Sequence, residues 1–374
     1  MVLSRRQDMA NILISPGKYV QGPGEIKNLN TYTKHLGENP LALITPSGRK
    51  RIGNLIEESF KCSNTNLAFF DFDGECSENQ INKVVKAIIE NKYDVIIGIG
   101  GGKTLDTAKA AAFYAKIPVI VCPTIASTDA PCSALSVIYS DKGMFERYLF
   151  FPSNPNVVVL DTDVIAHSPL RLTVSGMGDA LATFFEARAC KNSNAITTAG
   201  GTCTQAAYAL AILCYQTLTQ EGLKAKLAIE AGVCTKSVEN IIEANTLLSG
   251  LGFESCGLAA AHAIHNGLTV LEECHGLFHG EKVAFGTIAQ LVMENSTAQE
   301  LKEVIMLCIS LGLPVTLAQL GIKDITQEKV MAVANAACAD GETIYNMPME
   351  VNPKVVYSAI LAADSIGKYY LNSY

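Results

Sequence analysis

Residues 94–110 read DVIIGIGGGKTLDTAKA: a short β-branched run, four glycines within five positions, then an Ala-rich helical stretch. Glycine lets a backbone approach a ligand closely, and a helix N-terminus offers unpaired N–H groups at its positive dipole end. A strand, glycine turn and helix in this order suit a phosphate or pyrophosphate. Two standard labels fail. A Walker A loop needs a glycine where Ile97 stands, and a G-x-G-x-x-G run from Gly98 needs one where Lys103 stands. A tight turn without a ligand is the competing reading.

Outward from this turn, short apolar runs at Leu41–Thr45, Leu67–Asp71, Asp94–Ile99, Pro118–Cys122 and Asn156–Leu160 read as strands. Between the second and third, SENQINKVVKAIIENK pairs a Ser77/Gln80 capping box with Ile81, Val84, Val85, Ile88 and Ile89 at helical spacing. Strands alternating with helices predict a Rossmann-like, mostly parallel sheet covered on both faces. Beyond Leu160 the pattern becomes all-helical, with helices expected at Gly178–Ala189, Thr204–Thr219, Leu223–Lys236, Val238–Gly250 and Gly257–Leu268. Others follow at Val283–Glu294, Glu300–Leu311, Gln327–Ala339 and Lys354–Tyr370. The expectation is an α/β domain over residues 1–165 and an all-α C-terminal domain over 166–374. Ligands in such proteins favour the carboxyl edge of the sheet and the interdomain cleft.

The 374 residues carry 29 Lys+Arg against 36 Asp+Glu, a formal charge of −7, which argues against nucleic acid or an anionic membrane as partner. Twelve cysteines lie far apart with no C-x-x-C pair, so reduced thiols in a reducing, cytoplasmic compartment are expected. The N-terminus lacks an apolar stretch long enough for a secretory signal. Thr246–Leu271 is long enough to span a bilayer, but it contains Glu254, His262 and His265 and reads as buried core lining a site.

Of six histidines, His262, His265, His275 and His279 fall within eighteen residues. His262 and His265 share one helix face, and clustered imidazoles suit a transition metal. Spacing alone does not select the ligands. Asp179, at a predicted helix start, is a candidate carboxylate, with an N-cap as the competing reading.

GGGKTLDTAKA, PTIASTDAPCSALSVIYSD, GDALATFFEARAC and GLAAAHAIHNGL followed by HGEKVAFG together resemble the glycerol dehydrogenases of the iron-containing (group III) alcohol dehydrogenase superfamily. ISPGKYVQG and GETIYNMP extend the resemblance over essentially the whole chain. It implies a divalent metal on Asp179, His262 and His279, and Asp129 at the substrate. It implies a nicotinamide cofactor at Gly100, Gly101, Gly102, Lys103 and Asp106, with Thr124, Ser127, Ser133, Leu135 and Tyr139 lining the site. Iron-using relatives carry a further His four residues after the metal-binding Asp, where this chain has Thr183, so the set resembles the Asp-His-His zinc version. The activity implied is reversible, NAD-linked oxidation of glycerol or a related 1,2-diol, glycerol giving dihydroxyacetone, in a homo-oligomer, often an octamer. His265, one turn from His262, is a candidate proton relay.

Three positions depart from the pattern. Thr45 stands where relatives carry an Asp expected to hold the adenosine ribose, and Ser47, Arg49, Lys50 and Arg51 follow it, which predicts some NADP tolerance. Cys256 replaces a usual glycine, and Tyr345 a usual His. A lyase resembling 3-dehydroquinate synthase would gather several Lys or Arg around the metal, whereas only Lys282 follows His279. A nucleotide sensor without catalysis is the third class, and intact metal ligands argue against it.

Overall fold

The computed structural model describes residues 9–61, 63 and 65–373. Six parallel strands form its sheet: β1 (Tyr19–Gly22), β2 (Pro40–Ile44), β3 (Ala68–Asp71), β4 (Val95–Gly100), β5 (Val119–Pro123) and β8 (Val157–Asp161). Their spatial order is β1-β8-β5-β4-β2-β3. The strands β2, β5 and β8 are buried along their whole length, as a sheet covered on both faces requires. Helices α1 (Leu29–Thr33), α2 (Pro46–Phe60), α3 (Glu78–Asn91), α4 (Gly102–Ala115) and α5 (Thr162–Ala166) accompany them. From β2 the chain runs outward to β3, then returns to place β4 on the other side of β2. The order therefore reverses between β2 and β4, and the crevice at their carboxyl ends holds Thr45 and the glycine turn.

The five expected strands are present. The alternation did not include β1, which is four residues between Gly-Pro breaks, or an antiparallel hairpin of β6 (Leu135–Tyr139) and β7 (Phe145–Phe150). The capping box forms in half: Ser77 Oγ accepts from Gln80 N, but the Gln80 side chain donates to Asp73 O instead.

The helical region comprises α6 (Leu170–Ser193), α7 (Gln205–Glu230), α8 (Lys236–Glu243), α9 (Ser249–Cys256), α10 (Ala260–Leu268), α11 (His279–Met293), α12 (Ala298–Leu311), α13 (Gln327–Ala337) and α14 (Pro353–Ser373). One continuous α7 replaces the two helices expected between Thr204 and Lys236. Gly222 lies buried against Leu311 without breaking it, and the turn comes at Gly232, with φ of 73°. A π-helical turn, Ala244–Leu248, joins α8 to α9. The next helix begins at Ala260 rather than Gly257, whose φ of 98° stops the preceding one. Among the described residues, no single helix is long and apolar enough to cross a membrane; a bent pair, Lys236–Cys256 with Ala260–Leu268, meets that length and composition. Most of its apolar side chains are buried in the core.

The N-terminal segment crosses between the two regions: Asn11 pairs with Thr202, and Ile14 N donates to Ser255 Oγ. The expectation of reduced thiols fails for one pair. Cys203, just before α7, is disulfide-bonded to Cys256, the last residue of α9, where the two helices pack through Ala207 and Ala211. Tertiary packing brings these cysteines together across 53 residues. A crosslink closing a loop of this length stabilises by about 2–4 kcal/mol, chiefly by constraining the unfolded chain. C256S is expected to lower the free energy of unfolding in denaturant by about that amount, and reductant to do the same to the parent but nothing further to C256S. Equal midpoints for both proteins would contradict the linkage.

Candidate metal centre and nucleotide crevice

Asp179 lies in the first half of α6, His262 on α10, and His279 opens α11. Two glycines make their meeting possible. A Cβ on Gly178 would lie 2.4 Å from Gly280 O, and one on Gly280 would lie 1.7 Å from Ser175 O. The backbones of α6 and α11 therefore touch where Asp179 and His279 must converge. The start of α11 is held by Glu281, which accepts from Phe278 N at 2.8 Å and from Arg171 Nε at 2.6 Å.

The Asp179 carboxylate is buried, with Oδ1 at 3.2 Å from His262 Nε2 and 3.1 Å from His279 Nε2. One ligand atom from each of the three lies within 4.8 Å of the other two. Burial pushes the Asp179 carboxyl up, but the His279 and His262 imidazoles outweigh it and hold the group well below the usual carboxylate range. Burial likewise opposes the charge on His262, yet Glu186 and Asp179 raise this imidazole well above its ordinary value. Two imidazole nitrogens and a carboxylate oxygen form a donor set that zinc and ferrous iron both accept.

Glu186 was not anticipated. Its Oε2 lies 2.6 Å from His262 Nδ1, and Oε1 accepts from Ala259 N and His262 N. A carboxylate at Nδ1 accepts the N–H there and so fixes the tautomer that presents Nε2 to a metal. The signal was its place in GDALATFFEAR, two turns after Asp179 on the same helix face.

The four clustered imidazoles separate. His265 packs edge-on against His279, with ring centroids 4.2 Å apart, and its Nδ1 meets Asn266 Oδ1. Burial and the neighbouring His279 push its pKa well below the ordinary value, so this ring is neutral. His275 is exposed and bonds Thr269 O instead. On the hairpin, burial and then Glu342 push the Tyr148 phenol above its ordinary range, and Asn266 opposes them.

Asp129 is brought beside the metal centre, its N–H donating to Asp179 Oδ2 at 3.3 Å. Burial, then Asp179, push its carboxyl well above the usual range. Ser249 Oγ donates to Asp129 Oδ2 at 2.7 Å.

At the crevice, Gly100 has φ of 154° and Gly101 caps α4; a Cβ on Gly102 would meet open space. Lys103 pairs with Glu75, and Thr124 N donates to Gly100 O. Thr45 caps α2, accepting from Gly48 N at 3.1 Å; beside it Arg49 lies over Phe69 and 3.7 Å from Asp71. The loop that follows Ser127 converges on Lys109, a buried cation that sequence reasoning missed. Lys109 Nζ donates to Ala130 O and Leu135 O and lies 3.0 Å from Asp106. Asp106 also accepts from Val137 N. Asp106 and Ser133 are thus buried against Lys109, while Tyr139 remains partly exposed on β6 and pairs edge-on with Phe145. Ser127 O faces Ser175 Oγ at 3.5 Å. Tyr345 is exposed and bonds Cys338 O.

Residues 16–162 match the iron-containing alcohol dehydrogenase family. The chain is 52% identical to a glycerol dehydrogenase of Citrobacter freundii over 363 residues, covering 97% of this chain and 100% of the relative. The chain belongs to that family. It is therefore an oxidoreductase. A glycerol dehydrogenase of Escherichia coli O6:H1 is 53% identical over 366 residues, covering 98% of this chain and 100% of that one. The solved structure of a glycerol dehydrogenase from Schizosaccharomyces pombe superposes with a TM-score of 0.93 at 40% identity, covering 98% of this chain and 93% of that one.

Partners that orient a metal-binding His change affinity by about 10–100-fold. E186Q is expected to weaken zinc binding by about that factor in a competition with a chromophoric chelator. An unaltered affinity would remove Glu186 from the metal site.

Proposed function

We propose that the chain catalyses reversible oxidation of glycerol and related 1,2-diols to the corresponding hydroxyketone, glycerol giving dihydroxyacetone, with NAD and a zinc ion. The convergence of Asp179, His262 and His279 beside Asp129 carries this reading. Asp179, His262 and His279 would hold the zinc ion, which would supply Lewis-acid polarisation of a hydroxyl oxygen, and a bound nicotinamide would supply the hydride acceptor. Glu186 keeps His262 in the tautomer that serves the metal. Asp129 hydrogen-bonds the diol's second hydroxyl, which favours vicinal diols over simple alcohols. His265, held neutral, relays the proton that the hydroxyl loses. The N–H groups at Gly101–Lys103 would hold the pyrophosphate, with the Lys103 ammonium beside them as a further positive charge. Thr124, Ser127, Leu135 and Tyr139 border the nicotinamide half, and Lys109 holds their loop through Asp106 and Ser133. The dinucleotide-binding unit is residues 1–165 and the metal-binding unit 166–374; the working form is a cytoplasmic homo-oligomer.

H262A and D179A are expected to bind no zinc by elemental analysis and to have no glycerol turnover, while retaining the parent's circular dichroism. Turnover persisting without metal would refute the role of these ligands. Thr45 lacks the charge that repels a 2′-phosphate, and Ser47 and Arg49 are at hand for one. Measurable rates with NADP are expected, and T45D should lower kcat/KM for NADP by about tenfold while sparing NAD. A parent already inert with NADP would contradict this.

A further inference from the structure

On α6, Thr183 stands one turn after Asp179 and is buried; its Oγ1 lies 2.9 Å from Ser249 Oγ. Ser249 is also buried, and it donates its proton to Asp129 Oδ2. A hydroxyl has only one proton to give, so Thr183 must be the donor in the other bond. The chain runs in one direction, Thr183 to Ser249 to the Asp129 carboxylate.

Each member is held from behind. A Cβ on Gly252 would meet Thr183 Cγ2 at 2.3 Å, so the Thr183 methyl lies directly against the α9 backbone. A Cβ on Gly250 would lie 3.0 Å from Cys132 Cβ and 3.2 Å from Asp129 O, so α9 sits flush against the loop that carries Asp129. In the π-helical turn, Asn245 Nδ2 donates to Ala126 O and Thr173 O and ties the same helix to the start of that loop. Among the described residues, Ser249 makes the only hydrogen bond from another side chain to the Asp129 carboxylate. That bond falls on Oδ2.

We infer that Ser249, aligned by Thr183, is a positioning residue that aims Asp129 at the second hydroxyl of a vicinal diol and so sets the preference for diols. The inference rests on the reading of Asp129 given above. At Thr183 the turn after Asp179 is turned from the metal to the substrate carboxylate.

The ratio of kcat/KM for glycerol to that for 2-propanol, which lacks a second hydroxyl, reads the effect. S249A and T183V are expected to lower this ratio about tenfold, mostly through KM for glycerol, because the hydrogen bond that fixes the Asp129 carboxyl group is lost or misdirected. Zinc per chain and the melting temperature with zinc bound serve as controls on the fold and the metal. T183S keeps the hydroxyl but not the methyl, and T183V keeps the shape but not the hydroxyl. A selectivity loss in T183V with near-parent behaviour in T183S supports the brace; the reverse order shows a packing role and overturns it. D129N separates the two levels. If D129N loses diol selectivity while S249A and T183V keep it, the brace is refuted and the role of Asp129 stands. If D129N keeps it, both are refuted.

Discussion

A single buried carboxylate organises this protein. Asp179 lies where α6 and α11 touch backbone to backbone, and an ionised acid there is tolerable only beside compensating charge. His262 and His279 bring their Nε2 atoms to its Oδ1 from two other helices, and the amide of Asp129 adds a hydrogen bond from the sheet region. Four segments distant in the chain thus meet on one side chain. Helix packing, metal donors and the substrate-facing loop depend on the same point, so none of them shifts alone.

A second buried ion, Lys109, does for the nucleotide side what Asp179 does for the metal side. It collects the carbonyls of Ala130 and Leu135 and the Asp106 carboxylate into one cluster, fixing a loop that would otherwise expose its backbone to the crevice. Glu254 works on the same loop from α9, accepting from Ala134 N and Asn154 Nδ2. The loop between β5 and β6 is gripped by α4 on one side and α9 on the other, and it carries Asp129 at its centre.

Much of the fold was legible because it rests on local patterns. Buried parallel strands appear as continuous apolar runs, and Gly98–Gly102 stands out wherever it is read. The β6–β7 hairpin escaped because β7 is largely exposed and its partner alternates over only five residues. The continuous α7 escaped because Gly222 reads as a breaker until Leu311 is seen packed on it. The disulfide escaped because Cys203 and Cys256 meet only after α7 and α9 dock. Lys109 is an ordinary charged residue on a helix that only its burial marks, and the i+7 spacing of Glu186 from Asp179 gains meaning only once His262 is seen beside it.

What the amino-acid order determined by itself was the class of protein: an alternating α/β half, a helical half, a glycine turn and the residue types able to hold a metal. Periodicity and turn chemistry act over a few residues, so they survive in one dimension. Which imidazoles join Asp179, that Glu186 sets the tautomer of His262, and that Thr183 speaks to Asp129 through Ser249 were decided only by tertiary structure. Those relations depend on distances of about 3 Å between residues tens of positions apart, and such distances exist only once the helices have packed.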